Sequence, residues 1–358
     1  MQTFILQLPE KKRTVPIFTR INASSFIQHT LPSLFPGEKI LFVLDKPMAT
    51  LYPSLIPETI GNKRTFRFFL APGERNKTLS SVGKIITECA HKQFERIDAI
   101  AAVGGGKSSD LAGFAASIYQ RGIPFFIIPT TLLSMVDACV GGKTAVNLPE
   151  GKNLAGTFYQ PTAVAMDFSF LDTLPKRQIR TGMAEVIKHA VIGLPSLFSF
   201  LETIKPYQKE HYPRFIEESI QFKKHIVESD EKEGGIREIL NFGHTMGHAV
   251  EIHHYARFSH GEAVALGMEW ESFLGEKIGI TPIEVREKIS AMLIKYNFPR
   301  NKSSLHIEQI ISSLKRDKKN RHGKIRMVLP TAIGAAQPGY EIDSSLIHST
   351  WKEFCDEK

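Results

Sequence analysis

The chain has 358 residues, more than one hydrophobic core usually serves, so two domains are expected. Its 45 Lys plus Arg against 37 Asp plus Glu give a net charge of +8, spread along the sequence; this suits a small anionic ligand and demands no nucleic acid. The 3 cysteines, Cys89, Cys139 and Cys355, are far apart and in no ligand spacing, which argues against a disulfide framework or a thiolate metal site and fits a reducing compartment.

The first residues, MQTFILQLPEKKR, lack a basic start followed by a long apolar segment, and the apolar run in GIPFFIIPTTLL is broken by prolines. A cytoplasmic protein with no membrane partner is expected. Short apolar runs at 39–44, KILFVL, and 65–70, TFRFFL, read as buried parallel strands; the first ends at Asp45 and the second before Pro72-Gly73. Helical spacing covers 79–90. A third strand, IDAIAAV at 97–103, runs into Gly104-Gly105-Gly106, followed by a helix over 108–119 and a strand at 124–129 that ends at Thr130-Thr131. This rhythm describes a doubly wound α/β sheet, in which ligands sit beyond the carboxyl ends of the strands. Bare glycine backbone leading into a helix start suits a pyrophosphate, although a tight structural turn explains three glycines equally well. The spacing is neither G-x-G-x-x-G nor a Walker motif, which argues against an NTPase. Residues 137–156, DACVGGKTAVNLPEGKNLAG, are too polar for a core helix and read as a long functional loop or hairpin. A strand at 163–167 closes a first domain of residues 1–174.

Beyond Leu174-Pro175, apolar residues recur at helical spacing in 178–193, 213–228, 239–254, 261–279 and 283–296, and few strand-like runs appear before IRMVLP at 325–330. Residues 175–358 therefore read as a mainly helical domain. The stretch 241–262, NFGHTMGHAVEIHHYARFSHGE, holds 5 of the 13 histidines. His244 and His248 share a helix face, and His260 opens the next apolar run, so two helices can converge on one ion. A catalytic zinc takes three ligands from imidazole nitrogen and carboxylate oxygen. Glu185, a carboxylate in the apolar run GMAEVIKHAVI, is the best further candidate because a lone buried charge is costly; Lys188 shares its face. Taken singly, His248, His253 and His254 are more often ordinary histidines. Isolated lysines are usually solvated, but Lys143 follows two glycines and invites close approach of a ligand. The basic run LKRDKKNRHGKIR at 314–326 reads as a solvated loop or as a lid over an anion.

Together PGERNK (72–77), VGGG with Asp110, YQRG (119–122), IPTTLLSMVDACVGGKTAVN (128–147), GKNLAGTFYQP (151–161), AEVIKH (184–189), LNFGHTMGHAVE (240–251) and HGEAVALGM (260–268) resemble, in order and over nearly the whole chain, the 3-dehydroquinate synthase family of sugar-phosphate cyclases. The resemblance implies an N-terminal Rossmann-like nucleotide-binding domain followed by a mainly α-helical metal-binding domain. It implies Zn2+ or Co2+ on Glu185, His244 and His260, and makes His248 a substrate contact where spacing alone suggested a ligand. NAD would be held by Asp45, Glu74, Lys77, Gly105, Gly106, Ser109, Asp110, Thr130, Thr131, Asp137, Lys143, Lys152, Phe170 and Thr173. Substrate contacts would fall to Lys143, Asn153, Lys188, Lys223, Arg237, Asn241, His248 and Lys319, with Arg121 from a second subunit, hence a homodimer.

The reaction implied is conversion of 3-deoxy-D-arabino-heptulosonate 7-phosphate to 3-dehydroquinate and phosphate, the second step of the shikimate pathway. It runs by C5 oxidation, phosphate loss, return of the hydride and intramolecular aldol closure, with Asp137 and Lys152 as proton-relay candidates. Arg237, assisted by Lys223, would hold the substrate carboxylate, since a planar guanidinium matches it bidentately. One departure stands out: where the family usually reads GGGVxGD, this chain has Lys107, Ser108 and Ser109, which bears on cofactor affinity, while a serine at a helix start is a good cap and should leave the fold intact. A polyol dehydrogenase of the glycerol type would not need so many anion-binding groups. Another sugar-phosphate cyclase, such as a deoxyinosose or valiolone synthase, would not need the Arg237 and Lys223 pair.

Overall fold

The computed structural model of the chain describes residues 14–254, 257–300, 305, 307–315 and 325–357. Lys319 and most of the basic run lie outside them. The strands are β1 (Ile17–Phe18), β2 (Lys39–Asp45), β3 (Thr59–Ile60), β4 (Lys63–Leu70), β5 (Ala99–Gly104), β6 (Phe125–Pro129), β7 (Lys143–Leu148), β8 (Gly151–Phe158), β9 (Ala163–Ala165), β10 (Ile325–Ala332) and β11 (Ala335–Ile342). The helices are α1 (Ala23–Ser25), α2 (Lys46–Leu51), α3 (Leu79–His91), α4 (Gly106–Ile118), α5 (Lys176–Gly193), α6 (Pro195–Thr203), α7 (Tyr212–Ser229), α8 (His244–His254), α9 (His260–Lys277), α10 (Ile283–Lys295), α11 (Ile307–Lys315) and α12 (Ser344–Asp356).

Unbroken apolar runs such as AIAAVG in β5 and FFIIP in β6 are buried along their whole length, as expected for strands covered on both faces. They form a sheet of order β1-β9-β6-β5-β2-β4-β3, parallel except for the short edge pair β3 and β4. The chain winds outward from β2 to β4, crosses back through α3 to β5 on the other flank of β2, and continues to β6 and β9. The winding therefore reverses between β2 and β5. At that reversal Asp45, the glycine turn and Thr130 meet on the carboxyl edge, where the Thr130 N–H donates to the Gly104 carbonyl at 2.9 Å.

The polar stretch after β6 resolves into a short π-helical turn at 134–138 and an antiparallel β7–β8 hairpin, so of the two sequence readings the hairpin is the one formed. The strand expected over 163–167 stops at Ala165, and Asp167 turns away to accept the Ala23 and Ser169 amides at 2.8 and 3.0 Å. The helix expected from 239 starts only at His244, because Gly243 at φ 75° ends a preceding 3-10 turn over 236–241. Strand β11, AAQPGYEI, shows no apolar run; its pairing with β10 makes it a strand.

In the carboxyl-terminal half, α9 is buried continuously from Gly261 to Gly275 and acts as the central helix. Three glycines set how closely its neighbours approach. A Cβ on Gly267 would collide with the Gly243 carbonyl, one on Gly247 would press on the Ala263 carbonyl, and one on Gly261 would strike the backbone of Thr181 in α5. Glu262 fixes the same end, closing a capping box with Ser259 and clamping Arg177 and Arg180 of α5. Trp270 of α9 packs on Trp351 of α12, with ring centroids 6.1 Å apart, in a second core beneath the β10–β11 hairpin.

The crossing of α8 over α9 has no room for a methyl group. Gly267→Ala should therefore cost about 1–3 kcal/mol by overpacking, read as a lowered thermal midpoint; an unchanged midpoint would contradict the close crossing.

Candidate active site

Glycine-permitted packing brings the first residues of α8 and α9 against the middle of α5. His244 Nε2 lies 3.4 Å and His260 Nε2 3.5 Å from Glu185 Oε1. Glu185 is fully buried; Lys188, one turn on and also buried, ion-pairs with it, yet neither carboxylate oxygen accepts a well-formed hydrogen bond. Burial opposes its ionisation, but the Lys188 ammonium and the two imidazoles hold its carboxyl well below the usual range. A buried carboxylate with unsatisfied oxygens, faced by two imidazole nitrogens, is a donor set that fits a divalent ion of the zinc class.

The two imidazoles are aimed from behind. His244 Nδ1 meets the Phe242 carbonyl at 3.2 Å, which assigns that nitrogen the proton and leaves Nε2 its lone pair. The first turn of α8 is held by buried Glu271, which accepts the Gly243 amide at 2.7 Å and the Met246 amide at 3.2 Å. His260 Nδ1 lies 3.3 Å from Glu251 Oε2, and Lys152 Nζ lies 2.6 Å from the other Glu251 oxygen. Burial pushes His244 down to about 3. His260 goes the other way, to about 10, because Glu185 and Glu251 overcome the cost of its burial. This cluster of carboxylates demands positive charge.

Asp137 joins this centre to the dinucleotide edge. It stands within 4.8 Å of Glu185 and His189 by ligand atoms, and its neighbour Ala138 packs against Gly106. Lys223 Nζ lies 2.6 Å from both the Asp137 carboxylate and its carbonyl; burial works against the charge on Asp137, but Lys223 and Lys188 hold its carboxyl well below the ordinary range. Buried His189, 3.8 Å from Asp137, is lowered to about 3 by burial.

The cleft in front of the cluster is lined by Asp110, Lys143, Lys152, Asn153, Asn241 and His248. Glu233 organises one wall, pairing with Lys143 and accepting Asn241 Nδ2 at 3.0 Å. On the other wall Lys77 is buried between Asp110 and Asn153, and Asn147 donates to Glu74 at 2.9 Å. At the carboxyl edge Asp45 Oδ2 accepts the Gly105 amide at 3.0 Å, and a Cβ on Gly105 would touch Thr131, so backbone lies bare between an acid and a threonine. That cradle fits a dinucleotide phosphate and ribose. The expected serine cap does not form, since Gly105 is the N-cap of α4 without a side-chain cap bond and Ser109 Oγ donates back to the Gly105 carbonyl at 3.4 Å. Thr173 bonds Tyr52 at 2.9 Å and Phe170 stacks edgewise on the same ring.

Some expected residues sit apart. Arg237 is buried, its terminal nitrogens donating to the Glu231 and Gly141 carbonyls while Nε has no partner among the described residues. Arg121 lies on an exposed turn at φ 60° and does not line this cleft. Lys319 is outside the described residues. Sequence reading missed Glu251, Glu233 and Glu271. The helical offset of Glu251 from His244 and His248 was a usable signal for the first, whereas Glu233 and Glu271 act on residues distant in sequence and left none.

Two family models, described as 3-dehydroquinate synthase N-terminal and 3-dehydroquinate synthase C-terminal, match residues 67–181 and 182–320. The 3-dehydroquinate synthase of Dictyoglomus turgidum is 46% identical over 290 residues, 80% of this chain and 81% of that protein. Among solved structures, the 2-epi-5-epi-valiolone synthase of Streptomyces hygroscopicus with NAD+ and Zn2+ bound superposes with a TM-score of 0.88 at 25% identity, covering 99% of both chains. A 2-deoxy-scyllo-inosose synthase complexed with carbaglucose-6-phosphate, NAD+ and Co2+ superposes with a TM-score of 0.81 at 25% identity, covering 95% of this chain and 96% of that one.

Lys143 provides a test of this electrostatic map. Its ammonium is half exposed yet ringed by protein, and that desolvation lowers its pKa to about 8 against the pull of Glu233. Acylation followed by mass spectrometry should give half-maximal reactivity of Lys143 near pH 8, with the charged, anion-binding form below it and its loss above. Glu233→Gln should move that midpoint lower. A midpoint near that of an ordinary lysine, about 10.4, would show the wall to be solvated.

Proposed function

Because this chain belongs to the 3-dehydroquinate synthase family, we propose that it converts 3-deoxy-D-arabino-heptulosonate 7-phosphate to 3-dehydroquinate and phosphate with catalytic NAD and a divalent metal. The observation that carries the assignment is the buried Glu185, His244 and His260 cluster, joined through Asp137 to the glycine turn and flanked by His248, which lines a cleft that also holds Lys143 and Lys152. Bound there, the metal would polarise a secondary alcohol of the substrate and the dinucleotide would take up and return its hydride. The chain's own residues do the rest. Lys188 sits beside Glu185, where it can donate to a substrate oxygen, and His248 presents its ring 5.2 Å from that of His244. Lys143, Lys152, Asn153 and Asn241 furnish donors for phosphate and hydroxyl groups along the cleft.

Asp137, tied to Lys223, and Lys152, tied to Glu251, are the groups we assign to proton relay. Arg237 remains our candidate for the substrate carboxylate; to meet it, the guanidinium must release the Gly141 or the Glu231 carbonyl. The carboxylate also separates this reading from the other sugar-phosphate cyclases. NAD contacts are assigned to Asp45, Glu74, Lys77, Gly105, Gly106, Ser109, Asp110, Thr130, Thr131, Phe170 and Thr173. The two domains divide near 174/175, a reading supported by the two family models meeting inside α5. No helix among the described residues is long and apolar enough to cross a membrane, and we place the protein in the cytoplasm. A homodimer in which Arg121 reaches the second subunit's cleft accounts for its exposed position.

Purified protein given the heptulosonate phosphate, NAD and zinc should release phosphate with no accumulation of NADH; steady NADH production would instead indicate a polyol dehydrogenase. His260→Ala should remove both the activity and stoichiometric zinc, and zinc retained after dialysis would show the ligand set to be wrong.

If Arg121 acts across the dimer, Arg121→Ala and His260→Ala subunits, each inactive alone, should regain about a quarter of wild-type activity when co-expressed, since half the dimers are mixed with one complete site. No recovery, with mixed dimers present, would place Arg121 outside the shared site.

A further inference from the structure

Lys107, one of the residues at which the chain departs from the pattern of the family it resembles, has a defined place at the dinucleotide edge. It is the second residue of α4, and its side chain folds back over the carboxyl ends of β2 and β4. Nζ donates to the Ala71 carbonyl at 2.9 Å and lies 3.4 Å from Asp45 Oδ1; only 13% of the side chain is exposed. The other Asp45 oxygen already accepts the Gly105 amide at 3.0 Å. In dinucleotide folds with a G-x-G-x-x-G turn, an acid about 20 residues further on reads the adenosine ribose: its carboxylate accepts from the 2′-hydroxyl and disfavours a 2′-phosphate, whereas a nearby cation accommodates that phosphate. Asp45 precedes the glycine turn in the chain but ends β2, the strand paired beside it, which gives it the corresponding place in space. An ammonium is seated on it from the β4 side.

We propose that Lys107 is a selectivity residue that lets this chain accept a 2′-phosphorylated dinucleotide almost as well as the unphosphorylated one, its ammonium turning from the Ala71 carbonyl to the 2′-phosphate. The inference rests on the dinucleotide reading of this edge given above. A paired Asp45 has its charge compensated, so the repulsion that normally excludes the phosphate is weakened. A lysine presents the phosphate with a point charge and several donors, enough for recognition without planar geometry. The alternative role is mechanical, as a tie between α4 and the end of β4.

Calorimetric titration of the zinc-loaded protein with NAD+ and with NADP+ at one ionic strength separates these roles. In the wild type the two dissociation constants should agree within about tenfold, and Lys107→Met should weaken NADP+ by about ten- to a hundredfold, the loss of one charged contact, while NAD+ is unchanged or tighter. Lys107→Arg should keep the wild-type ratio. If Lys107→Met weakens both dinucleotides equally, or leaves the ratio unmoved while NAD+ still binds, Lys107 is only a tie and the inference falls. If the wild type binds neither dinucleotide, the dinucleotide reading itself is overturned and the inference with it.

Discussion

A carboxylate in the middle of an apolar helix constrains everything around it. Glu185 is fully buried, and an isolated ionised group at such a depth is too costly to persist without compensation. Lys188 supplies one positive charge from the next turn, and the imidazoles of His244 and His260 converge on the side that Lys188 leaves open. Meeting that demand requires three helices to approach within bond reach, which explains bare glycines at the α8–α9 and α5–α9 contacts and the buried Glu271 and Glu262 that pin the helix starts. The metal-class centre and the packing of the helical half are thus one solution to one electrostatic problem.

The cleft repeats a second arrangement. Lys77 is paired with Asp110, Lys143 with Glu233, Lys152 with Glu251 and Lys223 with Asp137. Each cation is held at a fixed position by an acid, which limits the ordering that an incoming anion must impose and lowers the entropic cost of assembling the site. The same pairing keeps Lys77 and Lys223, both buried, from standing as uncompensated charges. It also gives the acids that sequence reading passed over a role: they aim the cations.

Much of the fold was legible because β2, β5 and β6 are parallel and covered on both faces, so they are unbroken apolar runs bounded by turn residues. Strand β4, expected to be buried as well, forms as a strand but carries Arg67 and leaves Phe69 exposed near the sheet edge. The boundaries that moved did so for local reasons, as at Gly243, whose positive φ starts α8 later than periodicity suggested. Strand β11 was missed because its pairing with β10, not its own pattern, creates it. The helices α6, α11 and α12 were passed over although Ile307, Ile310, Ile311 and Leu314 in α11 and Ile347, Trp351 and Phe354 in α12 do recur at helical spacing.

For the site, the sequence by itself determined the kinds of donor and their grouping. Histidines four residues apart share a helix face, a carboxylate in an apolar helix must be compensated, and ordered motifs point to one family. Whether His248 or His260 turns toward Glu185, whether Lys223 faces a carboxylate of the chain, and whether Lys107 reaches solvent or Asp45 depend on contacts between residues far apart in the chain. Only the tertiary structure decided those, because helix periodicity fixes the face a side chain occupies but carries no information about what stands opposite it.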